Sequence, residues 1–164
     1  MILRCTSKLL AQLGSRSVAL VDAPPADDDW YVNLLWIDGK KCLLLTHAGT
    51  LFPAFVPAVR KADLRQLGQF LSGVIATELR SEGLPPGILG PLDPENARLA
   101  KTASRSILGF MNDSAYHCEY AIEAHGGLNH CDTDGLNYRL RRTLHNRGGY
   151  IQPMDLVAQR LTDR

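Results

Sequence analysis

Two mostly apolar runs, Trp30–Ile37 and Lys40–His47, lie on either side of the dipeptide Asp38-Gly39. Aspartate and glycine tolerate positive φ, so an Asp-Gly step between two β-prone runs predicts a tight hairpin. The apolar positions of both runs do not alternate strictly with polar ones. Helices are therefore expected to cover at least one face of the sheet, leaving the other face only partly in contact with water.

In the second half of the chain, apolar residues recur at spacings of three and four, which is typical of amphipathic helices. The longest such stripe is expected to end at Gly83, which is followed by two prolines. Another helix is expected to begin near Pro94, with Asp93 as its cap. The expected helices cover residues 61–83, about 94–122, 136–144 and 154–161.

At the other end of the chain, a short apolar segment precedes hydroxyl residues that can cap a helix. Thr6 or Ser7 can accept hydrogen bonds from the free amides of the following turn. Two prolines and three adjacent aspartates farther on predict a solvated loop. The expected N-terminal elements are a strand over residues 2–6, a helix over about 8–13, an edge strand over 18–21 and the acidic loop over 23–29.

These elements predict an α+β fold, in which a small N-terminal antiparallel sheet with a central hairpin packs against a helical C-terminal half. The 164 residues have the size of one ordinary domain. We therefore expect a single domain over residues 1–164, rich in sheet over 1–60 and helical over 61–164.

Charge and hydropathy exclude several classes of protein. The 18 basic and 17 acidic residues give a formal charge of +1, which argues against a uniformly basic nucleic-acid binder. No apolar stretch approaches the roughly 20 residues that a membrane-spanning helix needs. The first eight residues are interrupted by charge too early for a secretory signal. A cytoplasmic protein without membrane contact is the resulting expectation.

Four segments of the chain resemble a family of small, functionally uncharacterised bacterial proteins that is classified only as a domain of unknown function. The resemblance implies a shared fold over most of the chain and assigns no catalytic residue or cofactor. The segments that carry it are ILRCTSKLL (2–10), WYVNLLWID (30–38), KCLLLTH (41–47) and LGFMND (108–113).

The four cysteines are expected to be buried thiols rather than disulfides or metal ligands. Cys5 stands where a strand passes into a helix, a position that can lower a thiol pKa and create a nucleophile. The pairs His117-Cys118 and His130-Cys131 offer zinc-ligand types, but adjacent helical residues diverge by about 100° and no CxxC or HExxH spacing occurs. We therefore expect no metal and no cofactor.

One enzymatic hypothesis rests on Asp113 and His117, which are spaced i, i+4 on one helix face. A carboxylate beside an imidazole can orient a general base or bind a divalent cation. His47 at the end of the hairpin, or Glu119, could join them in a metal-assisted hydrolase. The same spacing also produces ordinary surface ion pairs.

Charge is distributed unevenly along the chain. Residues 111–134 contain five acidic side chains and no lysine or arginine, whereas residues 135–164 contain six arginines and two aspartates. Arginines interleaved with aromatic residues can contact phosphates and stack on bases. The candidate residues for binding nucleic acid or an acidic partner are Arg139, Arg141, Arg142, Arg147 and Tyr150.

Three functions therefore stay open at the level of sequence. The first is a non-enzymatic accessory protein that binds nucleic acid or an acidic protein through the arginine-rich C-terminal segment. The second is the hydrolase that uses the Asp/His pair. The third is a structural homodimer, in which the acidic and basic segments meet across a two-fold axis. The two segments could also simply neutralise each other within the fold.

Overall fold

The fold is given by a computed structural model that describes residues 1–14, 19–146 and 148–163. One sheet contains the strands β1 (Ile2–Cys5), β2 (Trp30–Ile37), β3 (Lys40–His47), β4 (Pro53–Val56) and β5 (Arg98–Lys101). The helices are α1 (Ser7–Leu13), α2 (Lys61–Arg65), α3 (Leu67–Ser81), α4 (Arg105–Ala124), α5 (Thr133–Leu140) and α6 (Pro153–Thr162). A 3-10 turn at Leu128–His130 and the short strands β6 (His145–Asn146) and β7 (Tyr150–Ile151) complete the described elements. The predicted α+β class is confirmed.

The predicted hairpin is present. Asp38 and Gly39 have φ values of 52° and 70°, the left-handed conformation that a tight two-residue hairpin turn requires. All eight residues of β2 pair with β3, from Trp30 opposite His47 to Ile37 opposite Lys40. The hairpin therefore forms the middle of the sheet.

The sheet is mixed rather than purely antiparallel. Its strand order is β4-β3-β2-β1-β5, and β1 lies parallel to both of its neighbours. The pairing of β1 with β5 joins Ile2 to Arg98 and Cys5 to Lys101. Strands so far apart in the chain leave no trace in a local hydrophobic pattern, so the parallel half of the sheet was not anticipated.

Helices cover both faces of the sheet, which explains why the hairpin strands are apolar at nearly every position. Alternate residues of β2 enter two separate cores: Trp30 and Leu34 enter one, Tyr31 and Leu35 the other. The first core is closed by α1, α3 and α6, and we call that side the α3 face. The second is closed by α4 and α5, and we call that side the α4 face.

Two long predicted helices differ in the structure. The stripe over residues 61–83 is divided into α2 and α3 at Gln66, and this break lets Leu64 and Leu67 enter the same core. The region expected to be helical from about Pro94 instead contains β5, and α4 begins only after Ser104, whose hydroxyl caps it. Hydrogen bonds to β1 override the local helical preference over Arg98–Lys101.

The smaller predicted elements agree with the structure better than the two long helices do. Helix α1 begins after Thr6, whose side chain accepts from the N–H of Leu9, and α6 covers the predicted C-terminal helix. Asp132 caps α5, which starts and ends earlier than predicted. The predicted edge strand over residues 18–21 is represented by one bridge between Leu20 and Leu99, and Val18 lies outside the described residues.

The acidic loop is held by a buried ion pair rather than being fully solvated. Arg4 donates from Nε to a carboxylate oxygen of Asp29, and both side chains are almost completely buried. The same guanidinium donates to the carbonyl oxygens of Ala23, Pro24 and Lys101. The loop and the end of β5 are thereby fixed to β1, the strand that carries Arg4.

The outer edge of the sheet, at β4, is covered by α5 and by Arg141 just after it, whose Nε donates to the C=O of Pro53. Asn137 of α5 is completely buried, and its Oδ1 accepts from the N–H of Phe55 at 2.7 Å while its Nδ2 donates to the C=O of Phe55 at 3.0 Å. The amide thus forms with Phe55 the two hydrogen bonds that a residue of a further strand would form. Open N–H and C=O groups at this edge would otherwise be able to pair with another chain. No helix in the described part of the chain is long and apolar enough to cross a membrane.

Candidate functional site

The predicted arginine surface lies partly inside the protein. Arg141 is 1% exposed and lies over the ring of Phe52, 4.5 Å from its centroid. Its guanidinium donates to Glu82 at 2.9 Å, to Glu78 and to the carbonyl oxygen of Pro53. Arg141 is therefore not available to a phosphate group, because every face of its head group is already engaged.

Arg142 belongs to the same network. It donates to Glu82 at 2.6 Å and stacks on the ring of Tyr138 at 3.6 Å. Hydrogen bonds from Arg142 and Arg141 lower the pKa of Glu82 against the opposing effect of burial. The acidic partners of these arginines thus lie on or just after α3, not in the acidic segment 111–134 that the sequence suggested.

The remaining candidates of the arginine surface are dispersed. Arg139 is exposed on α5, and Tyr150 is 77% exposed in the short β7 strand. Arg147 lies outside the described residues. Arg141 is therefore not part of the predicted surface, and Arg142 is largely engaged by Glu82 and Tyr138. Arg139 and Tyr150 remain exposed.

The residues of the proposed hydrolase do not form one site. His47 is fully buried on the α3 face, where its ring contacts Trp30 edge-on at 5.0 Å. Asp113 and His117 are exposed on α4, which covers the opposite face of the sheet. Within the described ranges, no group of three or more His, Cys, Asp or Glu side chains is placed to hold a metal ion.

His47 instead stabilises the turn that follows β3. Its Nδ1 lies 2.9 Å from the Thr50 hydroxyl and accepts from the N–H of Thr50 at 3.2 Å. Burial, reinforced by the positive charge of Arg160 and opposed by Asp28, lowers the pKa of His47 to about 4. The imidazole is therefore neutral near pH 7, with its proton on Nε2.

This depressed pKa predicts a loss of stability in acid that His47→Asn removes. An unfolded imidazole takes up a proton near pH 6.5 while the folded one resists until about pH 4. The folded state therefore loses up to roughly 3 kcal/mol as the pH falls through that window. Asparagine keeps an acceptor for the N–H of Thr50 and does not titrate, so urea denaturation should show a flatter acid limb. His130→Asn, an exposed control, should keep the steep limb; equal slopes in all three proteins would contradict the assignment.

Three of the four cysteines, namely Cys5, Cys42 and Cys118, are buried thiols. Burial raises the pKa of Cys5 and of Cys118 to about 12, so neither is a thiolate at neutral pH. All four cysteines are free. The nucleophilic alternative for Cys5 is therefore unfavourable, because the strand-to-helix position is enclosed by the core of the α3 face.

A cleft lies between α1, β2 and the first half of α4, and we call it the Lys8 cleft. Its volume is about 370 Å³, within the range of small-ligand and peptide pockets. Leu35 and Ala115 form an apolar floor, and polar side chains form the walls. The lining residues are Lys8, Asn33, Leu35, Asn112, Ala115, Tyr116 and Glu119.

A second cleft continues along the same helix, and we call it the Trp36 cleft. It has a volume of about 520 Å³ and lies between the end of β2 and the second half of α4. Glu119 lines both clefts, so they adjoin beside α4, and we call the two together the α4 groove. The residues of the Trp36 cleft are Trp36, Ile37, Asp38, Glu119, Ile122, Glu123, Gly126 and Gly127.

The exposed surface of α4 is both aromatic and acidic. Tyr116 and Tyr120 are 72% and 76% exposed, one helical turn apart. Asp113, Glu119 and Glu123 are exposed on the same helix, and none of them forms an ion pair or hydrogen bond with another described residue. The acidic segment therefore offers unpaired carboxylates to the solvent.

Comparison with protein families places the chain in a known group. A family model described as a domain of unknown function, DUF6933, matches residues 2–156, which is nearly the whole chain. The chain belongs to the DUF6933 family. No curated protein matches it. The resemblance to a family classified as a domain of unknown function is thereby confirmed, and DUF6933 membership adds no activity to the geometry described above.

Sequence reasoning missed most of the groove in this DUF6933 protein. Lys8, Asn33 and Asn112 belong to no recognisable catalytic or binding motif. The available signal was positional: Lys8, Asn33 and Asn112 come from three of the segments on which the family resemblance rests. These three residues meet in one cleft because α1 and α4 pack beside β2. Local sequence patterns carry no information about that packing.

Proposed function

We propose that this DUF6933 protein is a non-enzymatic binding protein that receives a basic segment of a partner protein in the α4 groove. The observation that carries the proposal is the row of unpaired carboxylates on α4 beside exposed aromatic rings. Glu119 and Glu123 are the carboxylates that line the groove, and Tyr116 and Trp36 are the rings.

Aromatic residues support a protein partner. Tyrosine and tryptophan are enriched at protein interfaces because they bury a large area while losing little side-chain freedom. Trp36 is 53% exposed at the end of the groove, where Lys41 lies 5.6 Å from its ring centroid. Tyr116 gives a partner aromatic contact in the Lys8 cleft, and Trp36 gives it in the Trp36 cleft.

Charge supports a basic partner. Residues 111–134 contain no lysine or arginine, so the carboxylates of α4 lack cations on their own segment. A partner lysine or arginine between Glu119 and Glu123 would provide the missing counter-charge, because both residues line the Trp36 cleft. The same field repels phosphates, which disfavours nucleic acid at this surface.

Binding to a short peptide of alternating lysine and alanine tests the proposal. Fluorescence anisotropy should show binding that weakens with salt, and a matched glutamate-alanine peptide should not bind. The double change Glu119→Gln with Glu123→Gln should weaken binding roughly tenfold, because two charge pairs are lost without a change of shape.

Controls separate this surface from the arginine surface. Glu95→Gln changes an exposed carboxylate before β5 and should leave the affinity unchanged. Absence of binding to the basic peptide at low salt would overturn the proposal. Binding of single- or double-stranded oligonucleotides that is lost in Arg139→Ala or Tyr150→Ala would instead support the nucleic-acid function. A dimer in solution that dissociates when the two glutamates are replaced would identify a second copy as the partner.

A further inference from the structure

The Lys8 end of the groove has a different chemistry from the Trp36 end, because its walls supply hydrogen-bond donors. We infer that the Lys8 cleft binds a free carboxylate, so that the segment held in the groove is the C-terminal end of a chain. This inference rests on the proposed function, since it assigns the direction and the last residues of the same bound segment.

The donors converge from three elements. Lys8 of α1 is exposed at the mouth of the cleft, and its ammonium forms no ion pair or hydrogen bond with any residue that the structure describes. Asn33 of β2 is half-buried, and its Oδ1 accepts from the hydroxyl of Thr6 at 2.9 Å. With that oxygen occupied, the two N–H groups of Asn33 Nδ2 remain for a ligand.

Thr6 fixes the Asn33 amide in this orientation. Its hydroxyl oxygen accepts from the N–H of Leu9 as the cap of α1, and its proton is donated to Asn33. The donor side of Asn33 is therefore set by the beginning of the helix that also carries Lys8. A prearranged pair of donors loses little freedom when a ligand binds.

Asn112 completes the donor set from the α4 wall. It is exposed, lines the cleft and makes no hydrogen bond among the described residues. A carboxylate accepts about four hydrogen bonds through two oxygens, which suits an ammonium and two amides better than a neutral carbonyl does. Glu119 also lines the cleft and repels anions, so a carboxylate is expected to bind there only when its own chain brings a basic side chain to Glu119.

The distance between the two ends defines the bound segment. Asn112 and Glu119 are seven positions apart on α4, which corresponds to about 10 Å along the helix axis. An extended chain covers about 3.3 Å per residue, so roughly three residues span this distance. A ligand with its terminal carboxylate near Lys8 and Asn112 would place a basic side chain from its last three residues at Glu119.

A pair of peptides that differ only at the terminus tests this inference. Both end in lysine-alanine-alanine, one as the free acid and the other as the amide. The acid should bind the unmodified protein about tenfold or more tightly, because charge-assisted hydrogen bonds to the carboxylate are lost in the amide. Lys8→Met should remove this preference while the amide peptide binds as before. Lys61→Met, a change of another exposed lysine, should retain it.

The outcomes distinguish the two proposals. Equal affinities for the acid and the amide would overturn the carboxylate site and leave the basic-segment function in place. Failure of both peptides to bind would overturn the proposed function itself. Free L-lysine binding as tightly as the acid peptide would overturn the chain-terminus assignment in favour of a free amino acid as the source of the carboxylate.

Discussion

Arg141→Ala is expected to lower the free energy of unfolding by about 4 kcal/mol, whereas Arg139→Ala, two residues earlier, should change it by less than about 0.5 kcal/mol. Arg141 is buried between Glu78, Glu82 and the ring of Phe52. Its removal leaves carboxylates of α3 and the following turn facing each other without their central cation. Urea denaturation of the three proteins measures the difference.

The comparison also decides what the C-terminal arginines do. A large loss for Arg141→Ala with none for Arg139→Ala means that Arg141 links α5 to α3. Equal small losses would show that the network is dispensable and would return Arg141 to the candidate binding residues. Nucleic-acid binding must for this reason be tested with Arg139 and Tyr150, because a change at Arg141 would alter the amount of folded protein.

Asn137→Asp is expected to cost about 4 kcal/mol at neutral pH. The substitution keeps the size of the side chain but replaces the Nδ2 donor, which now bonds the C=O of Phe55, with an oxygen that repels it. A buried carboxylate with a single donor, the N–H of Phe55, lacks the partners that its charge requires. Thermal and urea unfolding at neutral pH measure the loss.

Two further variants complete that experiment. Asn146→Asp introduces the same change at an exposed position and should leave stability nearly unaltered. Asn137→Ala should cost less than Asn137→Asp, because it leaves two backbone groups unpaired without burying a charge. It should also promote association through the uncovered β4 edge, detectable by light scattering. An Asn137→Asp protein as stable as the original would contradict the assigned role.

The parts of the fold that sequence predicted are those with local causes. The hairpin follows from two left-handed residues between β-prone runs, and α1 follows from the cap at Thr6. Strand β5 was mistaken for the start of a helix because its four residues gain their hydrogen bonds from β1. Such pairing is a tertiary property, and no spacing of hydrophobic residues near Arg98–Lys101 predicts it.

The candidate site shows the same division. The segregation of acidic and basic residues was visible in the sequence, and the acidic half does form an exposed surface on α4. Which arginines are exposed was not visible, since Arg139 at the end of α5 and Arg141 just after it are only two positions apart in the sequence. The Lys8 cleft was invisible for a further reason: its donors come from α1, β2 and α4 and converge only in three dimensions.

The position of β1 between β2 and β5 has a consequence for the order of events during synthesis. Residues 2–5 leave the ribosome well before their second partner strand, which begins only at Arg98. At about 5–20 residues per second, the wait for that strand is roughly 5–20 s. The hairpin of β2 and β3 can form in microseconds once both strands have emerged, and it then offers β1 one neighbour. The nascent chain thus exposes an unpaired strand edge for seconds, the period in which a chaperone would protect it most.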